Sequence, residues 1–396
     1  MKSLEVLAAA SKLGVTSFGG PIAHLGYFHE EYVVRRKWLD ERSYADLVAL
    51  CQMIPGPASS QLGIAIGLQH AGILGGISAW IGFTLPSAIA LVVFALLVHG
   101  TGITAAGWLH GLMVVAVAVV AQAVWSMART LASDASRASI AFAATIISVT
   151  LPSSITQILI IVAGALAGLA FLRSTVNDRP ERSAGFKGIG RTSAISCLIV
   201  FAVLLIGLPV LRAAVHSHWI ALIDSFYRSG SLVFGGGHVV LPLLQREVVP
   251  PGWISNAAFL AGYGAAQAVP GPLFSFAAYL GAVMESAPNG ILAAAIALFS
   301  IYLPSFLLVI GLLPFYGLLL GKRLVRAALM GVNAAVVGIL LAALYTPVWT
   351  SAILNPYDFA LGIAAFLLLL IWKVRPWIIV VGGAIAGEVL RLSHLV

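Results

Sequence analysis

Charge is what this chain has least of. Of its 396 residues only 9% are Asp, Glu, Lys or Arg, while 60% are hydrophobic; soluble domains carry about 25% charged residues. That balance excludes a soluble globular protein and places the chain in a lipid bilayer. Cysteine is scarce as well. Cys51 and Cys197 both lie in apolar stretches, which excludes a disulfide framework, a redox pair and a cysteine metal site. Strict apolar–polar alternation is lacking, so a membrane β-barrel is not expected. There is no HExxH, no Gly-x-Ser-x-Gly and no carboxylate pair at fixed helical spacing, so no catalytic residue, metal or cofactor is expected. The opening MKSLEVLAAASKLG has no basic region followed by a clean apolar run and cleavage site, and no cleaved signal peptide is expected. No polar segment is long enough for an extramembrane domain, which argues against a scaffold or receptor subunit.

What is present is apolar, basic and repeated. The net charge is +8, with basic residues clustered between hydrophobic runs. Cytoplasmic loops of membrane proteins have that pattern, so no nucleic-acid partner is implied. Laid over itself, the chain matches twice. KLGVTSFGGPIAHL (Lys12 to Leu25) corresponds to RSGSLVFGGGHVVL (Arg228 to Leu241), and Glu31 then falls on Glu247. Trp38 falls on Trp253, Gln52 on Gln267, Pro55-Gly56-Pro57 on Pro270-Gly271-Pro272, and TLPS at Thr84 on YLPS at Tyr302. The halves are 1–175 and 215–396, and residues 176–214 supply a polar linker and an extra hydrophobic helix.

Basic residues orient the two copies. Arg129 and Arg137 follow the helix at 104–128, whereas Lys322, Arg323 and Arg326 precede its equivalent. By the positive-inside rule the two helices run oppositely. The expected fold is all-α, a polytopic membrane protein of two inverted homologous halves. Full crossings are expected near 73–98, 104–128, 137–151, 155–173, 191–212, 288–313, 326–345, 355–372 and 376–394. Segments 4–34, 43–71, 218–249 and 255–286 are each broken in the middle and are expected to be re-entrant. Broken backbone is tolerated at membrane depth only where it is buried or lines a wet cavity.

The breaks suit an anion. A proline inside a helix costs about 3 kcal/mol, but at the first helical position its missing N–H costs nothing. The amides that follow, at Ala58, Ser59 and Ser60 and at Leu273 to Ser275, are then donors at the positive end of a helix. Paired broken helices in inverted repeats point to a transporter's binding site. Candidate ligand-binding residues are Gly19, Gly20, Gln52, Pro55, Gly56, Pro57, Ser59 and Ser60 in the first half. In the second they are Gly235, Gly236, Gln267, Pro270, Gly271, Pro272 and Ser275. Lys12 and Arg228 stand at one register in the two copies, which suits a doubly charged anion. Arg228 has Asp224 four residues before it, and Glu31 precedes Arg35-Arg36-Lys37, so local ion pairs compete with that role. His24, His238, Glu31 and Glu247 are candidates for proton coupling.

These motifs resemble the chromate ion transporter family in its long, two-domain form. The resemblance rests on FGGP at Phe18 to Pro21 with QMIPGP at Gln52 to Pro57, and on FGGG at Phe234 with QAVPGP at Gln267. It covers nearly the whole chain. It implies export of chromate across the cytoplasmic membrane, lowered chromate toxicity, sulfate as a competing oxyanion and coupling to the proton gradient. Gly237 stands where the first copy has Pro21, so unequal contributions from the halves are expected. Transport or exchange of sulfate or another anion, a passive anion channel, and a homodimer in the bilayer all stay compatible with the sequence.

Overall fold

Inside a bilayer no water is available to backbone N–H and C=O groups, so the chain satisfies them within helices. The computed structural model describes residues 2–18, 20–101, 107–173, 189–234, 237–285, 287–315 and 322–393, and no strand occurs among them. Gly19, Gly235, Gly236 and most of the 174–190 loop lie outside the described residues. In the first half α1 (Lys2–Thr16) stops at Ser17, and α2 (Gly20–Phe28) runs on into a π-helical stretch, His29–Arg35. Helix α3 (Glu41–Met53) ends before the first Pro-Gly-Pro, and α4 (Ala58–Thr101) begins directly after it. Three helices follow: α5 (Gly107–Leu131), α6 (Ala135–Thr150) and α7 (Ser154–Phe171).

The linker helix α8 (Arg191–Ala214) leads to α9 (His218–Leu232). A 3-10 turn, Gly237–Val239, then enters α10 (Val240–Val248). Helix α11 (Asn256–Ala266) ends before the second Pro-Gly-Pro, which is followed by a 3-10 turn, Leu273–Ser275, and α12 (Phe276–Val283). The chain closes with α13 (Gly290–Leu312), α14 (Arg323–Ala343), α15 (Pro356–Leu370) and α16 (Pro376–Leu392).

Helix α4 is two arms. Ala71 and Gly72 leave helical geometry, and a Cβ on Gly67 would stand 2.3 Å from the Gly75 carbonyl oxygen. Residues eight apart approach that closely only if the arms fold back on each other, which separates segment 58–70 from the long arm that follows. Five stretches among the described residues are long and apolar enough to cross a membrane: Ala58–Leu97, Gly107–Leu131, Arg191–Ala214, Gly290–Phe315 and Arg323–Ala352. The other four of the nine expected crossings fall on shorter apolar helices. Helices α6, α7, α15 and α16 have 16, 18, 15 and 17 residues. At 1.5 Å per residue they reach roughly 22–27 Å, less than the ~30 Å hydrocarbon core.

Packing between membrane helices gains little from the hydrophobic effect, so small residues that admit close backbone contact decide where helices meet. Helix α14 meets α7 where a Cβ on Gly331 would stand 2.0 Å from the Gly164 carbonyl oxygen. Helix α5 meets α16 in the same manner, with 2.1 Å from a Cβ on Gly111 to the Gly383 carbonyl oxygen. Each central helix thus packs against the last helix of the other half. Gly14 seats α1 on α4, where a Cβ would stand 2.5 Å from the Gly82 carbonyl oxygen, and Gly230 seats α9 on α13, where one would stand 2.1 Å from that of Ile301. Helix α8 stands at the edge on α9 and α13, presenting Ile199, Val203, Ile206 and Val210 outward. Outside the spans, caps mark helix starts. The Arg137 backbone amide donates to Asp134 and holds its carboxyl below the usual carboxylate range.

Candidate functional site

Both Pro-Gly-Pro turns need their glycine. Gly56 has φ 124° and Gly271 φ 103°, in the region that side-chain-bearing residues avoid. There is also no room for a side chain. A Cβ on Gly56 would stand 2.3 Å from Gln61 Nε2 and 2.8 Å from Ser305 Oγ, and one on Gly271 would stand 3.0 Å from Ser87 Oγ. Each glycine amide is committed across the molecule. Gly56 N–H donates to the Val233 carbonyl at 2.7 Å, and Gly271 N–H donates to the Ser17 carbonyl at 2.9 Å. Val233 and Ser17 immediately precede Phe234 and Phe18 of the glycine motifs. Each Pro-Gly-Pro is therefore bonded to the helix break of the other half.

The two turns differ in what they leave free. After the first, Gln61 N–H donates to the Pro57 carbonyl, so the amides of Ala58, Ser59 and Ser60 precede the first bond of α4. Pro57 stands just outside the helix rather than at its first position, and Gln61 Nε2 closes the turn on the Pro55 carbonyl at 2.6 Å. After the second, Pro272 caps a 3-10 turn. There the Ser275 amide and hydroxyl both donate to the Pro272 carbonyl, at 3.0 and 2.7 Å. Ser275 is thus not a free donor, because the tighter i→i+3 bond takes its amide.

A small cavity, open on one side, lies beside the second turn. Its walls include Ser17, Gly20 and Gln122 from the first half and His238, Gln267 and Gly271 from the second. Two polar groups there have no partner among the described residues: the hydroxyl of Ser17, a residue with 0% exposure, and the buried Nε2 of Gln267. His238 is fixed through Nδ1 to the Tyr263 hydroxyl at 2.8 Å. Its Nε2 lies 3.9 Å from where a Cβ on Gly20 would be. No Lys, Arg, Asp or Glu is among the described residues that line the cavity.

The expected charges gather elsewhere, in two matching clusters. Lys12 Nζ is 2.6 Å from Glu31 and Arg36 Nε is 2.8 Å from it. Arg228 bonds Asp224 at 2.7 Å and Glu247 at 3.0 Å, and Arg212 of α8 joins both acids at 3.1 and 3.6 Å. In each cluster an arginine covers a tryptophan: Arg36 lies over Trp38 at 5.2 Å and Arg212 over Trp253 at 5.8 Å. Lys12 and Arg228 are therefore held by carboxylates, and Glu31 and Glu247 by cations.

The remaining candidates disperse. His24 is buried with Nδ1 3.3 Å from the Ser59 hydroxyl, and Ser60 reaches the Tyr302 hydroxyl at 3.5 Å. Gln52 is exposed at the end of α3, whereas its counterpart Gln267 faces the cavity. Sequence reasoning missed Ser17, Gln122 and Tyr263. Ser17 adjoins the FGG motif, and Gln122 is an amide within the apolar run of α5, signals that were available. Tyr263 carried none.

Residues 4–169 and 220–388 match the family described as "Chromate transporter". A "Probable chromate transport protein" of Synechococcus elongatus is 29% identical over 96% of this chain and 93% of its own length. A "Chromate transport protein" of Pseudomonas aeruginosa is 25% identical over 85% of this chain and 79% of its own. One of the same description from Cupriavidus metallidurans is 25% identical over 96% and 90%. No solved structure matches the chain.

The two clusters differ in exposure, which sets different costs for losing a cation. Arg228 is 17% exposed and Lys12 46%. Arg228→Ala leaves two buried carboxylates to Arg212, and breaking such a buried pair costs about 3–5 kcal/mol. In Lys12→Ala, Arg36 still holds Glu31, so the loss is about 1 kcal/mol or less, as for exposed pairs. Thermal unfolding of the purified variants in detergent measures the difference; equal losses would contradict this assignment.

Proposed function

Because the chain belongs to the chromate transporter family, we propose that it exports chromate, a tetrahedral oxyanion, across the cytoplasmic membrane, with sulfate as a competitor. Export of this kind confers chromate resistance. The observation that carries this reading is the cavity to which both halves contribute at their helix breaks. Transporters of inverted-repeat design bind substrate at such discontinuities, where backbone freed from helix faces a wet space. The names of the bacterial relatives point to the same substrate.

In this reading the halves, 1–175 and 215–396, are inverted homologues and their broken segments are re-entrant. Support comes from contacts that recur at matching positions. Gly56 to Val233 pairs with Gly271 to Ser17, and Lys12–Glu31 pairs with Arg228–Glu247. The substrate path runs along the glycine breaks (Gly19, Gly20, Gly235, Gly236) and the two Pro-Gly-Pro turns, past Gln267 and the amides that open α4. Lys12 and Arg228 act on the anion through the field of their clusters. Of the four proton-coupling candidates, His238 is the one placed in the cavity wall. His24, Glu31 and Glu247 act at a distance from it, through hydrogen bonds and ion pairs.

Two experiments test the proposal. In proteoliposomes holding this chain alone, a pH gradient is expected to drive chromate above its equilibrium level. Uptake that stops at equilibrium would mark a passive channel, and no uptake would overturn the substrate assignment. For topology, single cysteines in 177–187 and in 347–355 are expected to react with impermeant reagent from opposite faces of the membrane. Reaction from one face contradicts inversion.

A further inference from the structure

The cavity wall carries hydrogen-bond donors, and no carboxylate is among the described residues that line it. We propose that Ser17, Gln122, His238 and Gln267 form a neutral donor cradle that selects fully deprotonated tetrahedral dianions (chromate, sulfate, molybdate) over phosphate. The proposal rests on the transport reading above and goes further, in naming the selecting residues and the excluded anion.

The donors are specific. Ser17 is wholly buried and its hydroxyl has no partner among the described residues, and Nε2 of Gln267 is buried without one either. Leaving a buried polar group unpaired is costly, so two on one small cavity mark a place where a ligand supplies the acceptors. The Ser17 hydroxyl is held in position because the Ser17 carbonyl accepts the Gly271 amide at 2.9 Å. Nδ1 of His238 is paired with the Tyr263 hydroxyl at 2.8 Å; in the tautomer that accepts from Tyr263, Nε2 carries the ring proton and donates on the Gly20 side. Gln122 adds an amide from α5.

The selection follows from counting protons. Near neutral pH phosphate keeps at least one P–O–H, and that proton needs an acceptor. A carboxylate accepts it best, and none is among the described lining residues. Sulfate and chromate dianions have acceptors only, which the hydroxyl, amide and imidazole N–H groups of the wall satisfy. A phosphate hydroxyl finds only neutral acceptors among the described lining residues, such as the Gln122 and Gln267 side-chain carbonyls. Phosphate binding there leaves its hydroxyl poorly paired, a loss of about 1.4 kcal/mol or more, which is tenfold in affinity.

The test is equilibrium binding of radiolabelled sulfate to the purified, monodisperse, full-length chain. Chromate and molybdate are expected to displace sulfate at similar concentrations, with phosphate at least about tenfold weaker. Ser17→Ala is expected to weaken sulfate binding several-fold. Gln267→Glu keeps the shape and adds a carboxylate, so it should abolish sulfate binding and narrow or reverse the disadvantage of phosphate. Phosphate competing as well as chromate on the unaltered chain overturns the cradle, and that measurement needs no variant to fold. So does Gln267→Glu binding sulfate like the parent. In both cases sulfate binding itself persists, so the transport reading survives. A parent chain that binds neither sulfate nor chromate removes both.

Discussion

Two backbone hydrogen bonds organise this molecule: Gly56 N–H to the Val233 carbonyl and Gly271 N–H to the Ser17 carbonyl. Each joins a place where one helix has been broken to a place where another has, and the partners belong to different halves. A break in a membrane helix leaves polar backbone groups that lipid cannot satisfy, so one break alone would be destabilising. Here each break supplies the partner that the other lacks. The positive φ of both glycines and the tight space around them follow from this mutual bonding. The cavity beside Gly271 is the space the second exchange holds open.

The charged clusters show how a duplicated feature is kept when its parts diverge. In both halves a glutamate sits between a cation of the first helix and an arginine that covers a tryptophan. Trp38 and Trp253 match in the repeat, but the arginines do not. Arg36 follows Glu31 closely, while Arg212 comes from α8, a helix without a counterpart in the first half. Charges at membrane depth are costly unless paired, and α8 brings the second cation that Asp224 and Glu247 need. The clusters thereby hold these charges apart from the cavity, whose described lining residues include no Lys, Arg, Asp or Glu.

How much of this was legible in the sequence depended on the kind of signal. The helix breaks were readable because Pro-Gly-Pro cannot continue a helix, and the separation of 43–71 from 73–98 coincides with the kink at Ala71 and Gly72. The partners of the charges were half readable. Asp224 four residues before Arg228 and the basic run after Glu31 announced local pairs, but Arg212 reaches its acids from a different helix. Ser17 adjoins the FGG motif, yet its repeat counterpart is Val233, so comparing the halves discards it. Helix ends were less legible, because an apolar run shows its composition, whereas helix length depends on caps such as Asp134, Ser153 and Asn355.

In this reading the anion sits where the halves exchange backbone bonds, among neutral donors and away from the Lys12–Glu31 and Arg228–Glu247 clusters. The most direct test is the structure of the full-length chain with tungstate, a heavy tetrahedral dianion that is readily located. The account predicts one tungstate within hydrogen-bond distance of the Ser17 hydroxyl and the Gln267 amide. Tungstate ordered at the Lys12–Glu31 or Arg228–Glu247 cluster, with the cavity beside Gly271 empty, would contradict it.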